Sequence, residues 1–177
     1  MRVLIIGSGG REHAFAHAIR QSDRLSALFV APGNAGILQL ADSAPVDVAD
    51  HSAVGHFCEA ERIDLVSVGP EAPLVDGLAD SLRARGVAVL GPSQAAAELE
   101  GSKAFVKQLA FANDVPTADS QTHDQVDTAL TALDDFALPV VVKADGLAAG
   151  KGVIIAETKA QAEDAVRACF DGAFGAA

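Results

Sequence analysis

The chain contains no tryptophan and no tyrosine, so it has little aromatic surface on which single-stranded bases could stack. Its first hundred residues contain no lysine, only seven arginines. With 13 basic and 24 acidic residues the net charge is −11. That balance argues against nucleic acid or an anionic membrane surface as a main partner. It still allows a local anion site made from backbone amides. There are only two cysteines, Cys58 and Cys169, and no C-x-x-C pair. A disulfide framework and a cysteine zinc site are thereby disfavoured, and a reducing cytoplasm fits best. Both cysteines read as small buried hydrophobes on helices. No apolar run approaches the roughly 18 residues of a membrane span. The opening stretch MRVLII is too short for a signal peptide, and glycine follows it at once. Half of the 177 residues are apolar, which excludes disorder and suffices for a sizeable core. The length suggests one domain plus part of another.

Apolar runs and punctuation give an alternating pattern. Residues 2–6 read as a strand buried on both faces, followed by Gly7-Ser8-Gly9-Gly10 and a helix from Arg11 to about Gln21. Residues 27–31 read as a second strand, giving the dimensions of a βαβ unit. A loop, Pro32–Gly36, comes next, then a helix over His51–Arg62 and strands over Asp64–Val68 and Val87–Leu90. Gly69–Pro73 reads as a turn and Leu74–Arg85 as one helix ending at Gly86. Such alternation implies an α/β fold with an open parallel sheet covered on both faces.

The texture changes near residue 100, where arginine gives way to lysine, and the expected division is 1–100 and 101–177. Helices are expected over Gln94–Glu100, Lys103–Asn113, Asp124–Asp135 and Thr158–Asp171, with Thr158 as N-cap. Pro139–Ala144 and Val153–Ala156 read as strands around the glycine-rich stretch Asp145–Gly152. The tail, Asp171–Ala177, carries no stop signal of a finished domain and looks like a chain cut short or a frayed end.

The glycine turn at 7–10, between a strand and a helix, lets a phosphate approach backbone N–H groups at a positive helix end. It is not a dinucleotide fingerprint: the third glycine of G-x-G-x-x-G falls at Glu12, and no acidic residue ends the second strand. His13 and His17 stand four apart but lack the glutamate of H-E-x-x-H, and read as solvated or helix-packed. The loops at Pro32–Gly36 and Gly69–Pro73 follow parallel strands, so all three glycine-rich turns are expected at one sheet edge, where α/β folds bind ligands. Asn34 and Glu71 offer groups suited to hydroxyls or an amine. Lys143 falls inside an apolar strand, with Val142 and Ala144 on the opposite face, and needs an anionic partner or a route to solvent. A strand lysine beside a glycine loop bearing Lys151 can clamp a triphosphate. This is not a Walker A loop, because Gly152 and then a strand follow Lys151.

Six segments then stand together: VLIIGSGGREHA (3–14), APGNAG (31–36), VGPEAPLVDGLAD (68–80), LGPSQAAAELEGSKAFVK (90–107), VPTA (115–118) and VVVKADGLAAGKGV (140–153). In this order the chain resembles the N-terminal part of the phosphoribosylamine–glycine ligase family, ATP-grasp enzymes of purine synthesis. Residues 15–20 and 121–138 match only loosely. The resemblance implies a Rossmann-like pre-ATP-grasp domain followed by a truncated α+β ATP-grasp portion. It implies that ATP phosphorylates glycine and that the amine of 5-phosphoribosylamine attacks the glycyl phosphate. Gly9, Gly10 and Arg11 would face the ribosyl phosphate. Asn34, Gly69, Pro70 and Glu71 would line the substrate site, with Asn34 and Glu71 on the ribose or its amine. Lys103, Lys143, Asp145, Gly146, Gly150, Lys151 and Gly152 would serve ATP.

Ligands for Mg2+ or Mn2+, the glycine site and part of the adenine pocket are expected beyond residue 177, so the chain alone is expected to lack ligase activity. A well-folded first hundred residues and a looser remainder are expected as well. Competing readings are another ATP-grasp ligase, an NAD-dependent oxidoreductase, and a non-catalytic fragment that binds phosphoribosyl or nucleotide ligands.

Overall fold

A computed structural model of the chain describes residues 1–148 and 152–174. Its contacts divide into two compact units, Met1–Ala97 and Glu98–Ala177. The first unit holds strands β1 (Arg2–Gly7), β2 (Ala27–Pro32), β3 (Asp42–Ser43), β4 (Leu65–Val68) and β5 (Ala88–Leu90). All pairings are parallel, in the spatial order β3-β2-β1-β4-β5. Helix α1 (Gly10–Arg20) connects β1 to β2, and α2 (His51–Ala60) connects β3 to β4. Helices α3 (Glu71–Val75) and α4 (Leu78–Ala84) connect β4 to β5.

The central strand β1 shows why its sequence is apolar throughout. Its side chains alternate between faces, and both faces are covered. Leu4 and Ile6 join a core with Val54, Cys58, Leu74, Leu78 and Leu82 from α2, α3 and α4. Val3 and Ile5 join a second core with Ala16 of α1, Leu28, Val30 and Ile37. Pairing aligns Ile6 with Ala31 on one side and with Val68 on the other, so β1, β2 and β4 end level with each other. The chain winds from β1 outward through β2 and β3, then crosses back to β4. The topological switch point therefore lies between the ends of β1 and β4, the position where open α/β sheets form a ligand crevice.

Three local features of this unit differ from the sequence reading. The edge strand β3 is two polar residues long and gives no apolar signal. The helix expected over Leu74–Arg85 is two helices, broken at Gly77, whose φ of +92° is open to glycine at little cost. Residues 71–73 are also helical rather than part of a turn. Pro70 is extended at the N-cap, and Pro73 lies in the first turn, where a missing N–H removes no helical bond.

The second unit contains the end of α5 (Gln94–Gly101), then α6 (Lys103–Ala112), α7 (Val126–Ala132) and α8 (Lys159–Phe170). Strands β6 (Val140–Lys143) and β7 (Val153–Ala156) pair antiparallel, with Lys143 opposite Val153. Ser102 caps α6 by accepting the Phe105 N–H at 3.0 Å. Thr158 caps α8 in a capping box with Gln161. The helix expected over Asp124–Asp135 begins later and tightens to a 3-10 turn over Leu133–Asp135. Ala162, Ala165 and Val166 of α8 are buried, as are Ala144 and Ala156, while Val141, Val153 and Ile155 are exposed. Cys58 is buried as expected, and burial first, then neighbouring Glu59, pushes its thiol up to about 11. Cys169 is only half-buried on α8, short of the burial its sequence context suggests.

Candidate functional site

The three glycine-rich turns of the first unit meet at the C-terminal edge of its sheet. Parallel register puts Gly7 beside Pro32, and Gly69 directly after the paired residues Ile6 and Val68. Main-chain bonds then lace the turns together. Gly33 N–H donates to Gly7 O at 3.1 Å, and Gly69 N–H donates to Ile6 O at 3.1 Å. Asn34 bridges two of the turns. Its Nδ2 donates to Ser8 O at 2.7 Å, and its Oδ1 accepts Gly36 N–H at 2.9 Å and Ile37 N–H at 3.0 Å. So Asn34 is an organiser of the second loop, with both ends of its amide engaged.

Arg11, the second residue of α1, reaches the third turn. Its Nη1 donates to Gly69 O at 2.8 Å and its Nη2 to Glu71 Oε1 at 3.2 Å. The pair is open to water, with side-chain exposures of 60% for Arg11 and 41% for Glu71. Glu71 begins α3, and its own backbone N–H, then the Arg11 side chain, hold its carboxyl below the usual range. Gly69 is buried and Pro70 half-buried between Arg11's two anchor points. Gly9 and Gly10 are exposed at the start of α1.

In the sequence Glu12 stands out only as the residue that breaks the glycine fingerprint, which gives no hint of its role. The structure makes it the hub of this cluster. Glu12 is 5% exposed, and its Oε2 accepts the Gly9 N–H at 2.7 Å. A Cβ on Gly69 would stand 2.0 Å from Glu12 Oε1, and one on Gly7 would stand 2.6 Å from its Cγ. The spacing Gly9-x-x-Glu12, an N-cap followed three residues later by glutamate, was the available signal. His13 also belongs to the cluster rather than to a metal pair: a Cβ on Gly36 would lie 2.5 Å from its Cε1. Among the described residues, no group of three or more His, Cys, Asp or Glu side chains is placed to hold a metal ion.

The second unit places the remaining candidates. Lys143 is exposed on the same face of the hairpin as Val141, while Ala144 is buried opposite, as alternation requires. Among the described residues no hydrogen bond or ion pair engages its ammonium. Lys103 Nζ donates to Gly146 O at 2.6 Å. Asp145 accepts main-chain N–H groups of Lys103 at 2.6 Å and Ala104 at 3.2 Å, and the Ser102 hydroxyl at 3.0 Å. Burial acts to raise the Asp145 pKa. The hydrogen bonds from Ala104, Ser102, Lys103 and Gly146 outweigh burial and hold it below the usual range. Gly152 is buried, its carbonyl accepting Ala144 N–H at 2.8 Å. Gly150 and Lys151 lie outside the described residues.

Two family models divide the sequence between them. The N domain of phosphoribosylglycinamide synthetase matches residues 1–100, and the ATP-grasp (A) domain of the same enzyme matches residues 101–177. The phosphoribosylamine–glycine ligase of Agrobacterium fabrum is 54% identical over all 177 residues, which cover 42% of that protein. The phosphoribosylamine–glycine ligase of Haemophilus influenzae is 49% identical, again with 42% covered, so the chain spans less than half the length of these relatives. A crystal structure of the Thermotoga maritima phosphoribosylamine–glycine ligase matches 93% of the chain with a TM-score of 0.74 at 28% identity, over 38% of that protein. On matches that run the length of both units, this chain belongs to the phosphoribosylglycinamide synthetase (phosphoribosylamine–glycine ligase) family.

Proposed function

We propose that this sequence supplies the phosphoribosyl site and part of the ATP site of a ligase that joins glycine to 5-phosphoribosylamine, forming glycinamide ribonucleotide, ADP and phosphate. The observation that carries the reading is the convergence of three glycine-rich turns at the switch point of the first unit's sheet. In this reading the free N–H groups at the start of α1, on Gly10 and Arg11, take the ribosyl phosphate. The Arg11–Glu71 pair and the Asn34 loop flank the ribose and its amine. Gly9 helps shape the turn. Lys143 and Lys103 neutralise ATP phosphates, Asp145 and Gly146 hold the start of the glycine-rich loop, and Gly152 closes its end. Such a reaction depends on charge neutralisation and alignment more than on a protein nucleophile.

ATP supplies the phosphoryl group, and purine synthesis of this kind belongs in the cytoplasm. Among the described residues no group of three or more His, Cys, Asp or Glu side chains could hold the Mg2+ or Mn2+ that accompanies ATP. Site-directed kinetics test the assignment. In the ligase that carries this sequence, Lys143→Ala raises the KM for ATP or lowers kcat, and Arg11→Ala raises the KM for phosphoribosylamine. Unchanged ATP constants in the first variant contradict the ATP role, and an unchanged phosphoribosylamine KM in the second contradicts the substrate role.

A further inference from the structure

Glu12 is a nearly fully buried carboxylate in the first turn of α1, next to the N–H groups assigned to an anion. It occupies the third helical position of α1, where its charge complements the helix N-terminus. The same position in α8 is held by Gln161, whose neutral Oε1 accepts the N–H groups of Glu157 at 2.9 Å and Thr158 at 3.2 Å. A carboxylate is therefore not needed to close a helix start in this chain. What distinguishes Glu12 is the space it fills. Its side chain occupies the volume left by three glycines on two different turns: Gly7 and Gly9 on the first, Gly69 on the third. A Cβ at any of the three would approach Glu12 within 2.9 Å, and Gly69 within 2.0 Å. Gly69 is also the residue whose carbonyl anchors Arg11.

We propose that Glu12 is the positioning residue of this site: it fixes the spacing of the first and third turns, and it takes the Gly9 N–H, leaving the Gly10 and Arg11 N–H groups for an incoming phosphoryl group. Arg11 follows from the same contact, because its guanidinium is anchored on the turn that Glu12 holds. The carboxylate is not recruited for its charge toward the ligand, since a second anion beside a phosphate opposes binding. The proposal rests on the phosphoribosyl reading for its ligand, but its structural core does not.

The test is made on this chain with ribose 5-phosphate as the probe, and with Gly9 amide exchange and thermal unfolding as ligand-free readouts. Glu12→Gln keeps an acceptor for Gly9 and a similar shape. It is expected to retain Gly9 protection and to bind ribose 5-phosphate at least as tightly as the parent. Glu12→Ala is expected to lose Gly9 protection and weaken binding by about tenfold or more while remaining folded. Gly69→Ala is expected to lower the unfolding temperature by several degrees, roughly 5 °C, in the parent and by about none in the Glu12→Ala background, where the obstructing side chain is gone.

Equal effects of Gly69→Ala in the two backgrounds overturn the proposal. So does parent-like binding by Glu12→Ala, or a tenfold loss in Glu12→Gln. If the parent chain binds no ribose 5-phosphate, the ligand reading fails, and the exchange and unfolding cycle still decides the role of Glu12.

Discussion

The carboxylate of Asp145 accepts the main-chain N–H of Lys103 at 2.6 Å, across 42 residues of sequence. Together with its bonds to Ala104 and Ser102, this places a negative charge on the N-terminus of α6. The following carbonyl, on Gly146, accepts the ammonium of the same lysine. Asp145 and Lys103 thus clip the strand end that carries Lys143 to the start of a helix. Three of the second unit's ATP candidates, Lys103, Asp145 and Gly146, are thus held by one another.

The clip makes pH dependence testable. Asp145 has a lowered folded pKa, so its contribution is present above the unfolded value near 3.8 and disappears as pH falls through the folded value. Amide exchange at Lys103 and Ala104 should stay slow as pH falls past 3.8 and accelerate only at lower pH. Asp145→Asn should speed exchange at neutral pH and flatten this acid dependence. An acid profile that the substitution leaves unaltered contradicts the clip.

Arg11 and Glu71 separate stability from binding. Their pair is exposed, and such pairs contribute about 0–1 kcal/mol. Arg11→Ala should therefore lower the unfolding temperature only slightly, yet weaken ribose 5-phosphate binding by at least about tenfold. Calorimetric titration beside thermal unfolding checks both; a large loss of stability with intact affinity reverses the assignment.

Burial sets a contrast between the two sheets. Ile5 is fully buried at the centre of the parallel sheet, whereas Ile155 is 68% exposed on the hairpin. Ile5→Ala should cost about 2–5 kcal/mol, and Ile155→Ala should fall within about 0.5 kcal/mol of the parent. Denaturant unfolding of the two variants measures the difference.

Hydrogen exchange should rank the units. The first unit has two buried clusters around a five-stranded sheet, while α6 in the second buries no residue. Slower exchange is expected in β1 and β4 than in β6, β7 and α6. Equal protection throughout contradicts that ordering.

Much of the fold was legible because β1, β2 and β4 are apolar on both faces and the glycine turns that follow them are conspicuous. The edge strand Asp42–Ser43 was not, because two polar residues carry no periodicity. Gly77 falls inside an apparently continuous helical pattern, and nothing in its sequence context reveals a positive φ. In the site, the meeting of the three turns followed from parallel topology. The packing of Glu12 against Gly69 did not, because it joins residues 57 apart in sequence through side-chain volume alone. Lys143 illustrates the intermediate case: alternation gave its face correctly, but only the structure shows that this face is open.

The central claim is that the turns at Gly7–Arg11, Pro32–Gly36 and Gly69–Glu71 form one phosphoribosyl site. The most direct test is titration of the isotope-labelled chain with ribose 5-phosphate, followed by amide chemical shifts. The account predicts saturable shifts at Gly10, Arg11, Asn34 and Glu71, weakened in Arg11→Ala. No saturable shift up to millimolar ligand, or shifts confined to the hairpin of β6 and β7, would contradict it.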